Sequence, residues 1–343
     1  MEDVMEEKKM EENGTKKLPV GRVLGAICEG VWTVIKIVVV IGIITAIVGV
    51  LLSRNLMIRG RNGARQSTKD MSVAAATLSN KSEEDDKVKE WLSTVTREKV
   101  TMVADDKYIL IARKVVVDAE SDKWAVILHG YNGSMADIYD IAMHYTENGY
   151  NVLMPDLRAC GESEGSFIGM GWLDRLDVIN WVDVILEENP SAKVVIHGVD
   201  MGADAALMLS GEPIKSSIKA IVAEGAYTSA WDVLKKEYQA RYSGKPVFPF
   251  LNMVNPVMKV WAGYTLKEAN AVKQVSKTNV PILLVHGGKD TYVTEDMMKK
   301  LNDAISSQHE LFTVASGTHE DCRYAEPDNY YNKTFEFVDT YTK

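Results

Sequence analysis

Short apolar runs that end in glycine or aspartate recur along this chain from Val88 onward. Five of them read WAVILHG, NVLMPD, AKVVIHG, IKAIVAEG and PILLVHGG. Runs of this length are typical of parallel strands that are buried on both faces of a sheet. Two earlier segments, KVTMVA and YILIARKVVV, have the β-branched alternation of strands. Helical patterns lie between the runs, over residues 136–147, 172–188, 201–210, 295–306 and 329–340. This alternation predicts an α/β fold with a doubly wound, mostly parallel sheet and functional residues at the carboxyl ends of its strands.

One long insertion, residues 226–278, interrupts the alternation between two core strands. An insertion at this place predicts a small cap over the site. We therefore expect one α/β domain over residues 88–343 that carries this cap. The aromatic residues of the insertion favour a small-molecule substrate with an apolar group, although they could equally form the core of the cap: Tyr227, Trp231, Tyr238, Tyr242, Phe248, Phe250, Trp261 and Tyr264.

Residues 31–52 form an apolar segment with one charge, Lys36, near its start. About 20 apolar residues are enough to span a bilayer. A buried core helix would be shorter and amphipathic, and a cleaved signal peptide would have a shorter apolar core. The segment therefore predicts a single-pass transmembrane helix, preceded by a charged, disordered tail (1–30) and followed by a polar linker (53–87). More cations follow the span than precede it, so the positive-inside rule predicts a cytoplasmic catalytic domain.

Charge and cysteine usage exclude several classes of function. The formal net charge of -9 argues against a nucleic-acid partner. Cys28, Cys160 and Cys322 are an odd number without paired spacing, so they predict neither a disulfide framework nor a metal site. The chain also has no glycine-rich loop that would cradle a phosphate, and we expect no cofactor.

The stretch VVIHGVDMGADAALML, residues 194–209, runs from a strand pattern through Gly-x-Asp-x-Gly into a helix pattern. In this layout, Gly-x-Ser-x-Gly would place a nucleophilic serine on a sharp strand-to-helix turn. Here the central residue is Asp200, a carboxylate that the dipole of the following helix favours. Asp204 lies one helical turn further on. Repulsion between the two carboxylates would raise the pKa of one of them.

Six motifs occur in order between Lys99 and Lys343: LHGYNGS, DLRACGESEG, GMGWLDRLDVINWV, HGVDMG, HGGKDTYV and SGTHED. Together they resemble the α/β-hydrolases. The resemblance is strongest to the bacterial membrane-anchored group related to serine aminopeptidases and prolyl-oligopeptidase-type hydrolases. It covers the whole globular part of the chain and implies the α/β-hydrolase fold.

The resemblance also implies which residues form the site. The family keeps the chain order nucleophile, acid, histidine, which matches Asp200, Asp290 in HGGKDTYV, and His319 in SGTHED after the last strand, HELFTVAS. Asp290 would hold the imidazole of His319 in one tautomer, so that the ring faces the nucleophile. The backbone N–H groups of Tyr131 and Met201 would form the oxyanion hole.

The aspartate changes the chemistry that this arrangement predicts. A carboxylate that attacks an acyl carbon forms an anhydride, which is an uphill step, whereas carboxylates react well with sp³ carbons. Haloalkane dehalogenases and epoxide hydrolases of the same fold carry aspartate at the equivalent position. They usually have tryptophan directly after it, where this chain has Met201. Epoxide hydrolases also usually carry proline in the HG loop, which here reads HGYNGS.

Three functions therefore remain open. The first is a membrane-anchored hydrolase of a small ester-, amide- or alkyl-type substrate, with Asp200 as nucleophile or as water-activating carboxylate. The second is a catalytically inactive protein that keeps the pocket for binding or signalling at the membrane. The third is a metal-assisted site of Asp200, Asp204 and His319, which no motif with metal-ligand spacing supports. Inactive sites often lose their base as well, so the retained His319 and Asp290 favour the hydrolase.

Overall fold

The eight predicted strands form one sheet in the computed structural model, which describes residues 20–58 and 75–343. The strands are Glu98–Val103 (β1), Ile109–Val115 (β2), Lys123–Leu128 (β3), Asn151–Pro155 (β4), Lys193–Val199 (β5), Ile218–Glu224 (β6), Ile282–Gly287 (β7) and His309–Val314 (β8). Their order in the sheet is β1-β2-β4-β3-β5-β6-β7-β8. The pairs β1–β2 and β2–β4 are antiparallel, and all other neighbours are parallel. The predicted α/β fold with a mostly parallel sheet is confirmed.

Of the described helices, two come before β1 in the sequence, and the others follow β3. They are Val20–Met57 (α1), Ala75–Thr94 (α2), Tyr139–Glu147 (α3), Asp174–Glu188 (α4), Met201–Leu209 (α5), Ala230–Arg241 (α6), Val254–Ala262 (α7), Ala271–Val275 (α8), Glu295–Ala304 (α9), Cys322–Ala325 (α10) and Pro327–Thr342 (α11). Short 3-10 helices, Met135–Ile138 and Leu251–Met253, directly precede α3 and α7. Helices α4, α5, α8 and α9 pack against one another in a row.

The central strands are buried on both faces. Val195 and Val222 lie in one apolar cluster with Ile141 of α3 and Phe337 of α11. Successive side chains of a strand point to opposite faces of the sheet. Ile196, the next residue along β5, is also fully buried. This double burial explains why these strands have continuous apolar sequences rather than alternating ones.

Among the described residues, one helix is long and apolar enough to cross a membrane, over Ile27–Met57 of α1. The chain divides into two compact units, residues 1–48 and 49–343. Helix α1 begins earlier than the predicted span, so residues 20–30 of the predicted tail are helical, while residues 1–19 lie outside the described part. The early start has a local cause. No proline interrupts the sequence from Val20 to Met57, and Pro19 stands directly before it.

Helix α2 occupies part of the predicted linker. Residues 53–57 of that linker continue α1, residues 75–87 begin α2, and residues 59–74 lie outside the described part. Long-range contacts fix α2, because Trp91 Nε1 donates to Thr146 Oγ1 (3.0 Å) and Asn80 Nδ2 donates to the carbonyl of Tyr324 (2.9 Å). The polar composition of residues 75–87 therefore reflects a helix with a largely solvated surface.

The chain between β6 and β7 forms the insertion, with α6, a 3-10 helix and α7. A β-bridge between Ser229 and Asn270 closes its base. Helix α8 lies within the predicted limits of the cap, 226–278, but it packs against α5 and α9. It therefore belongs to the helical layer on the sheet, and the cap proper ends near residue 270.

Candidate active site

Asp200 occupies a sharp turn between β5 and α5. Its backbone has φ 51° and ψ −116°, in the positive-φ region that L-residues rarely adopt. Two glycines make the turn possible. A Cβ on Gly198 would overlap the backbone of Gly202, and a Cβ on Gly202 would overlap the carbonyl of Leu128 in the neighbouring strand. The Gly-x-Asp-x-Gly sequence is thus required by close backbone packing on both sides of Asp200.

His319 lies between the two predicted carboxylates. Its Nδ1 is 2.8 Å from Asp290 Oδ2, and its Nε2 is 3.3 Å from Asp200 Oδ1. The other oxygen of Asp290 accepts the backbone N–H groups of Tyr292 and Val293, both at 2.8 Å, which fixes the carboxylate. The three predicted side chains follow β5, β7 and β8, so parallel strands bring them to one edge of the sheet.

The backbone N–H of Tyr131 donates to Asp200 Oδ2 at 2.8 Å. Gly130 permits this approach, because a Cβ there would lie 3.3 Å from Asp200 Oδ2 and 2.7 Å from Glu320 Oε1. The second predicted donor, the N–H of Met201, belongs to the first turn of α5, where backbone N–H groups have no acceptor within the helix. One of the two predicted oxyanion donors is therefore engaged by the carboxylate of Asp200 itself.

Electrostatic interactions hold His319 in its charged form. Burial alone would disfavour the imidazolium, but the hydrogen bonds to Asp200 and Asp290 outweigh this effect and raise the pKa of His319 to about 10. Glu320 acts in the same direction, since its Oε1 lies 3.9 Å from His319 Nε2. At neutral pH the ring is consequently an imidazolium between two carboxylates.

Asp204 is fully buried beside this cluster. Its Oδ2 accepts the N–H of Tyr227 at 2.9 Å, whereas its Oδ1 has no hydrogen-bond partner. Burial, together with the charge of Asp200, raises the pKa of Asp204 well above its usual range. Burial and the charge of Asp200 therefore both favour the neutral form of Asp204. Repulsion between the two carboxylates contributes as expected, but burial is the larger cause.

The geometry does not bring together the three residues of the hypothetical metal site, Asp200, Asp204 and His319. Asp200, His319 and Glu320 are the residues whose possible ligand atoms come within 4.8 Å of one another in the described part of the chain. The carboxylate of Asp204 instead binds the backbone of Tyr227. Sequence reasoning missed Glu320, although it directly follows His319 in SGTHED. It has φ 64°, an unusual conformation for glutamate.

Residues 124–246 match the family described as alpha/beta hydrolase fold. Among solved structures, the chain is similar to the esterase Pf2001 of Pyrococcus furiosus, with 21% identity and a TM-score of 0.60 over 74% of this chain and 95% of that one. It is also similar to the α/β-hydrolase GrgF of Penicillium sp. sh18, with 16% identity and a TM-score of 0.56 over 72% of this chain and 99% of that one. These likenesses show that the chain has the α/β-hydrolase fold.

The chain is also similar to two curated bacterial proteins. YqkD of Bacillus subtilis is 24% identical over 216 residues, which are 62% of this chain and 70% of YqkD. YfhR of Escherichia coli K12 is 25% identical over 198 residues, which are 56% of this chain and 61% of YfhR. Both are described as uncharacterized proteins. The chemistry must therefore be argued from the residues of this chain.

A buried ionic cluster supports the loop that carries His319. Glu224, the last residue of β6, accepts the backbone N–H of Cys322 at 3.0 Å. Arg323 donates to Asp140 Oδ2 at 2.6 Å and to the carbonyl of Glu320 at 3.0 Å. Sequence reasoning did not single out these residues. A signal was present in IKAIVAEG, because a glutamate that closes a fully buried strand needs a partner.

Two further histidines of this fold have structural roles. His129 Nε2 accepts the backbone N–H of Leu157 at 2.9 Å and so ties together the loops after β3 and β4. His197 lies between the hydroxyl groups of Tyr145 and Tyr330, and its burial lowers its pKa to about 3. Both rings are fully buried.

A narrow cavity adjoins the Asp200–His319–Asp290 cluster. Tyr292 forms part of its wall and packs against the ring of His319, with the ring centroids 4.8 Å apart. The cavity has a volume of about 20 Å³, which holds about one water molecule. Apolar and aromatic side chains dominate the lining, with one ion pair at the rim: Leu56, Tyr131, Met170, Tyr227, Val233, Leu234, Glu237, Arg241 and Tyr292.

A larger cleft of about 330 Å³ borders Gly130 and Glu320. Its lining includes the charged side chains of Lys81, Asp85 and Asp137, so it suits an apolar group less well than the narrow cavity does. Of the cap aromatics, Tyr227 lines the narrow cavity. Tyr238 and Tyr264 are buried, which agrees with the alternative that aromatic residues of the insertion form the core of the cap. Phe248 is 74% exposed and projects into solvent.

Proposed function

We propose that this protein is a membrane-anchored hydrolase in which Asp200 is a covalent nucleophile toward an sp³ carbon. The supporting observation is that the two oxygens of Asp200 have different partners. Oδ1 lies 3.3 Å from His319 Nε2, and Oδ2 accepts the N–H of Tyr131 at 2.8 Å. One oxygen therefore has the position of an attacking atom, while the other already occupies the oxyanion hole.

This arrangement is unfavourable for ordinary acyl transfer. The oxygen of a tetrahedral acyl intermediate needs the donors of the oxyanion hole, and Asp200 Oδ2 occupies one of them. Attack on the acyl carbon would also form an anhydride. Pf2001 is described as an esterase. In this chain, which has the same fold, Asp200 as the nucleophile favours alkyl rather than acyl substrates.

In the first step, Asp200 Oδ1 attacks the sp³ carbon. A carbon–oxygen bond forms, the bond to the leaving group breaks, and the leaving group departs with the electron pair. The product is an alkyl ester of Asp200. Its carbonyl oxygen is Oδ2, which keeps the hydrogen bond from Tyr131.

In the second step, water hydrolyses this ester. Alkylation removes the negative charge of Asp200, so the pKa of His319 falls and the ring can lose its proton to solvent. The neutral imidazole, held by Asp290, then takes a proton from a water molecule that attacks Asp200 Cγ. The negative charge develops on Oδ2, beside the N–H of Tyr131. As the intermediate collapses, the bond between Cγ and Oδ1 breaks, and the leaving alkoxide takes the proton from His319 to become the alcohol. The carboxylic acid that remains loses its proton to His319, which restores the carboxylate of Asp200 and the imidazolium.

The proposal also includes a membrane anchor and a class of substrate. The apolar part of α1 would hold the protein in the membrane as a single-pass protein, and the cation excess after residues 31–52 favours a cytoplasmic hydrolase domain. The resemblance to bacterial membrane-anchored hydrolases agrees with this arrangement. The apolar cavity beside His319 favours a small molecule with an apolar group.

The experiment is a single turnover of 1-bromobutane in ¹⁸O-water, followed by mass spectrometry of the peptide that contains Asp200. Covalent catalysis inserts ¹⁸O into Asp200 and leaves ¹⁶O in the first alcohol released. If Asp200 only activated water, ¹⁸O would appear in the alcohol alone. The variant His319→Gln should accumulate the alkyl ester, because it has no base for the second step, and Asp200→Asn should form no adduct.

A wild-type protein that forms neither adduct nor alcohol with bromides, epoxides or activated esters would contradict the proposal. That result would favour the alternative of an inactive α/β-hydrolase-fold protein that serves as a membrane-tethered binding or signalling module.

A further inference from the structure

The C-terminal end of α1 forms part of the wall of the narrow cavity. Leu56 lines the cavity, and its carbonyl accepts a hydrogen bond from the hydroxyl of Tyr131. The carbonyl of Met57 accepts the N–H of Ile168 at 2.9 Å. Because the backbone N–H of Tyr131 also binds Asp200, a single residue connects the end of the apolar helix to the site.

This end of the helix is held along one face. Gly49, Leu52, Ser53, Leu56 and Met57 are buried, and their spacing of three to four residues places most of them on one side of the helix. A Cβ on Gly49 would lie 2.5 Å from the Cβ of Met253 in the cap. The approach of helix and cap therefore requires glycine at position 49.

The cavity lies close to the end of the predicted membrane span. Leu52 is the last residue of that span, and Leu56 follows one turn later, about 6 Å along the helix axis. The cap segment that contacts Gly49 also carries exposed large apolar side chains, since Val260 is 83% exposed and Phe248 is 74% exposed. Apolar side chains of this kind favour contact with lipid.

We infer that the substrate is an apolar molecule dissolved in the bilayer, which reaches Asp200 along the face of α1 that ends in Leu56. The chemistry at Asp200 rests on the proposed function, whereas the entry route does not. The cavity holds about one water molecule, so an alkyl chain enters by displacing the contact between the helix end and the cap. Leu56 then determines how the chain fits beside Tyr227 and Leu234.

The test uses the full chain in phosphatidylcholine vesicles, with 1-bromohexadecane as a membrane-dissolved probe and 1-bromobutane as a water-soluble one. Bromide release should favour the long probe by about tenfold or more, the range that apolar pockets achieve. Leu56→Ala and Gly49→Leu should lower this preference severalfold. Leu51→Ala, at a side chain 58% exposed, and Gly42→Leu, at a site with nothing within 4 Å, should retain it.

A second readout does not depend on chemistry. A hexadecyl diazirine dissolved in the vesicles should, on illumination, label residues 227–234 of the wild type, and Leu56→Ala should change the extent of labelling. Labelling without bromide release would support the entry route while the proposed chemistry fails. Bromide release without chain-length preference, or with a preference that both variants retain, would overturn the entry route and leave the chemistry intact. Absence of label in the cavity would also overturn the route.

Discussion

The replacement Asp200→Ser should convert the site into an esterase. Asp200 Oδ2 accepts the N–H of Tyr131 at 2.8 Å, and Oδ1 lies 3.3 Å from His319 Nε2. A serine at this turn places one hydroxyl near His319 and leaves the Tyr131 donor to the substrate oxygen. Asp290 remains 2.8 Å from His319 Nδ1, so the base keeps its orientation.

Two effects determine the size of the gain. A single oxyanion-hole donor is worth about 10² to 10³ in rate. In addition, the hydrogen bond to Asp200 is the first of the interactions that raise the pKa of His319 to about 10. At pH 7.5 that value leaves only about 0.3% of the ring neutral, and each unit by which the pKa falls raises this fraction about tenfold. We therefore expect at least a hundredfold increase in ester hydrolysis.

The assay is hydrolysis of p-nitrophenyl butyrate by the purified full chain, together with intact-mass detection of a butyryl adduct. Asp200→Ala is the matched control, because it also frees the Tyr131 donor and lowers the pKa of His319 but supplies no nucleophile. Only Asp200→Ser should form the adduct.

Either of two results would refute this reasoning. A wild type that hydrolyses the ester as fast as Asp200→Ser would mean that the carboxylate itself acts on acyl carbons. A folded Asp200→Ser variant that is no faster than Asp200→Ala would mean that the pocket around Tyr131 no longer accepts an ester. The second result would favour the binding module over the hydrolase.

Three further predictions concern stability and location. The pKa of His319 in the folded state, about 10, exceeds its ordinary value of about 6.5. Its stabilising contribution is therefore complete below about pH 6.5 and is lost as the pH rises through about 10. Thermal melting from pH 6 to 10 should show this decline in the wild type, and a His319→Gln variant with an equal decline would contradict it. Arg323→Met should lower the free energy of unfolding by about 3–5 kcal/mol, because it leaves the buried carboxylates of Asp140 and Glu224 without their cation. Denaturant titration should find no such loss in the exposed control Lys299→Met, and equal effects would contradict the assignment. The full chain should stay in the membrane pellet after carbonate washing, whereas deletion of residues 31–52 should release it, and a soluble full chain would exclude the transmembrane helix.

The sequence alone predicted the fold and most of the residues that meet at the cluster. The fold prediction rests on local patterns, whereas the resemblance to the α/β-hydrolases implied the site residues. A strand buried on both faces needs a continuous apolar run, and the residue that follows such a strand must lie at the carboxyl edge of a parallel sheet. Asp200, Asp290 and His319 each follow one of these runs, which agrees with the positions that the resemblance implies for them. The length of the apolar segment likewise predicted a helix able to span a membrane.

Only the tertiary structure decided how the charges are arranged. Asp200 directs one oxygen to Tyr131 and the other to His319, burial raises the pKa of Asp204, and Glu320 joins the cluster. Periodicity carries no information about these features, because burial and hydrogen bonding between distant segments set a pKa. Periodicity also carries no information about the contact between Leu56 and Tyr131. The hydrogen bond that joins Leu56 to Tyr131 connects residues 75 positions apart. The pattern of polar and apolar residues predicts which face of a helix is buried. Which residues contact that face depends on the packing of the whole domain.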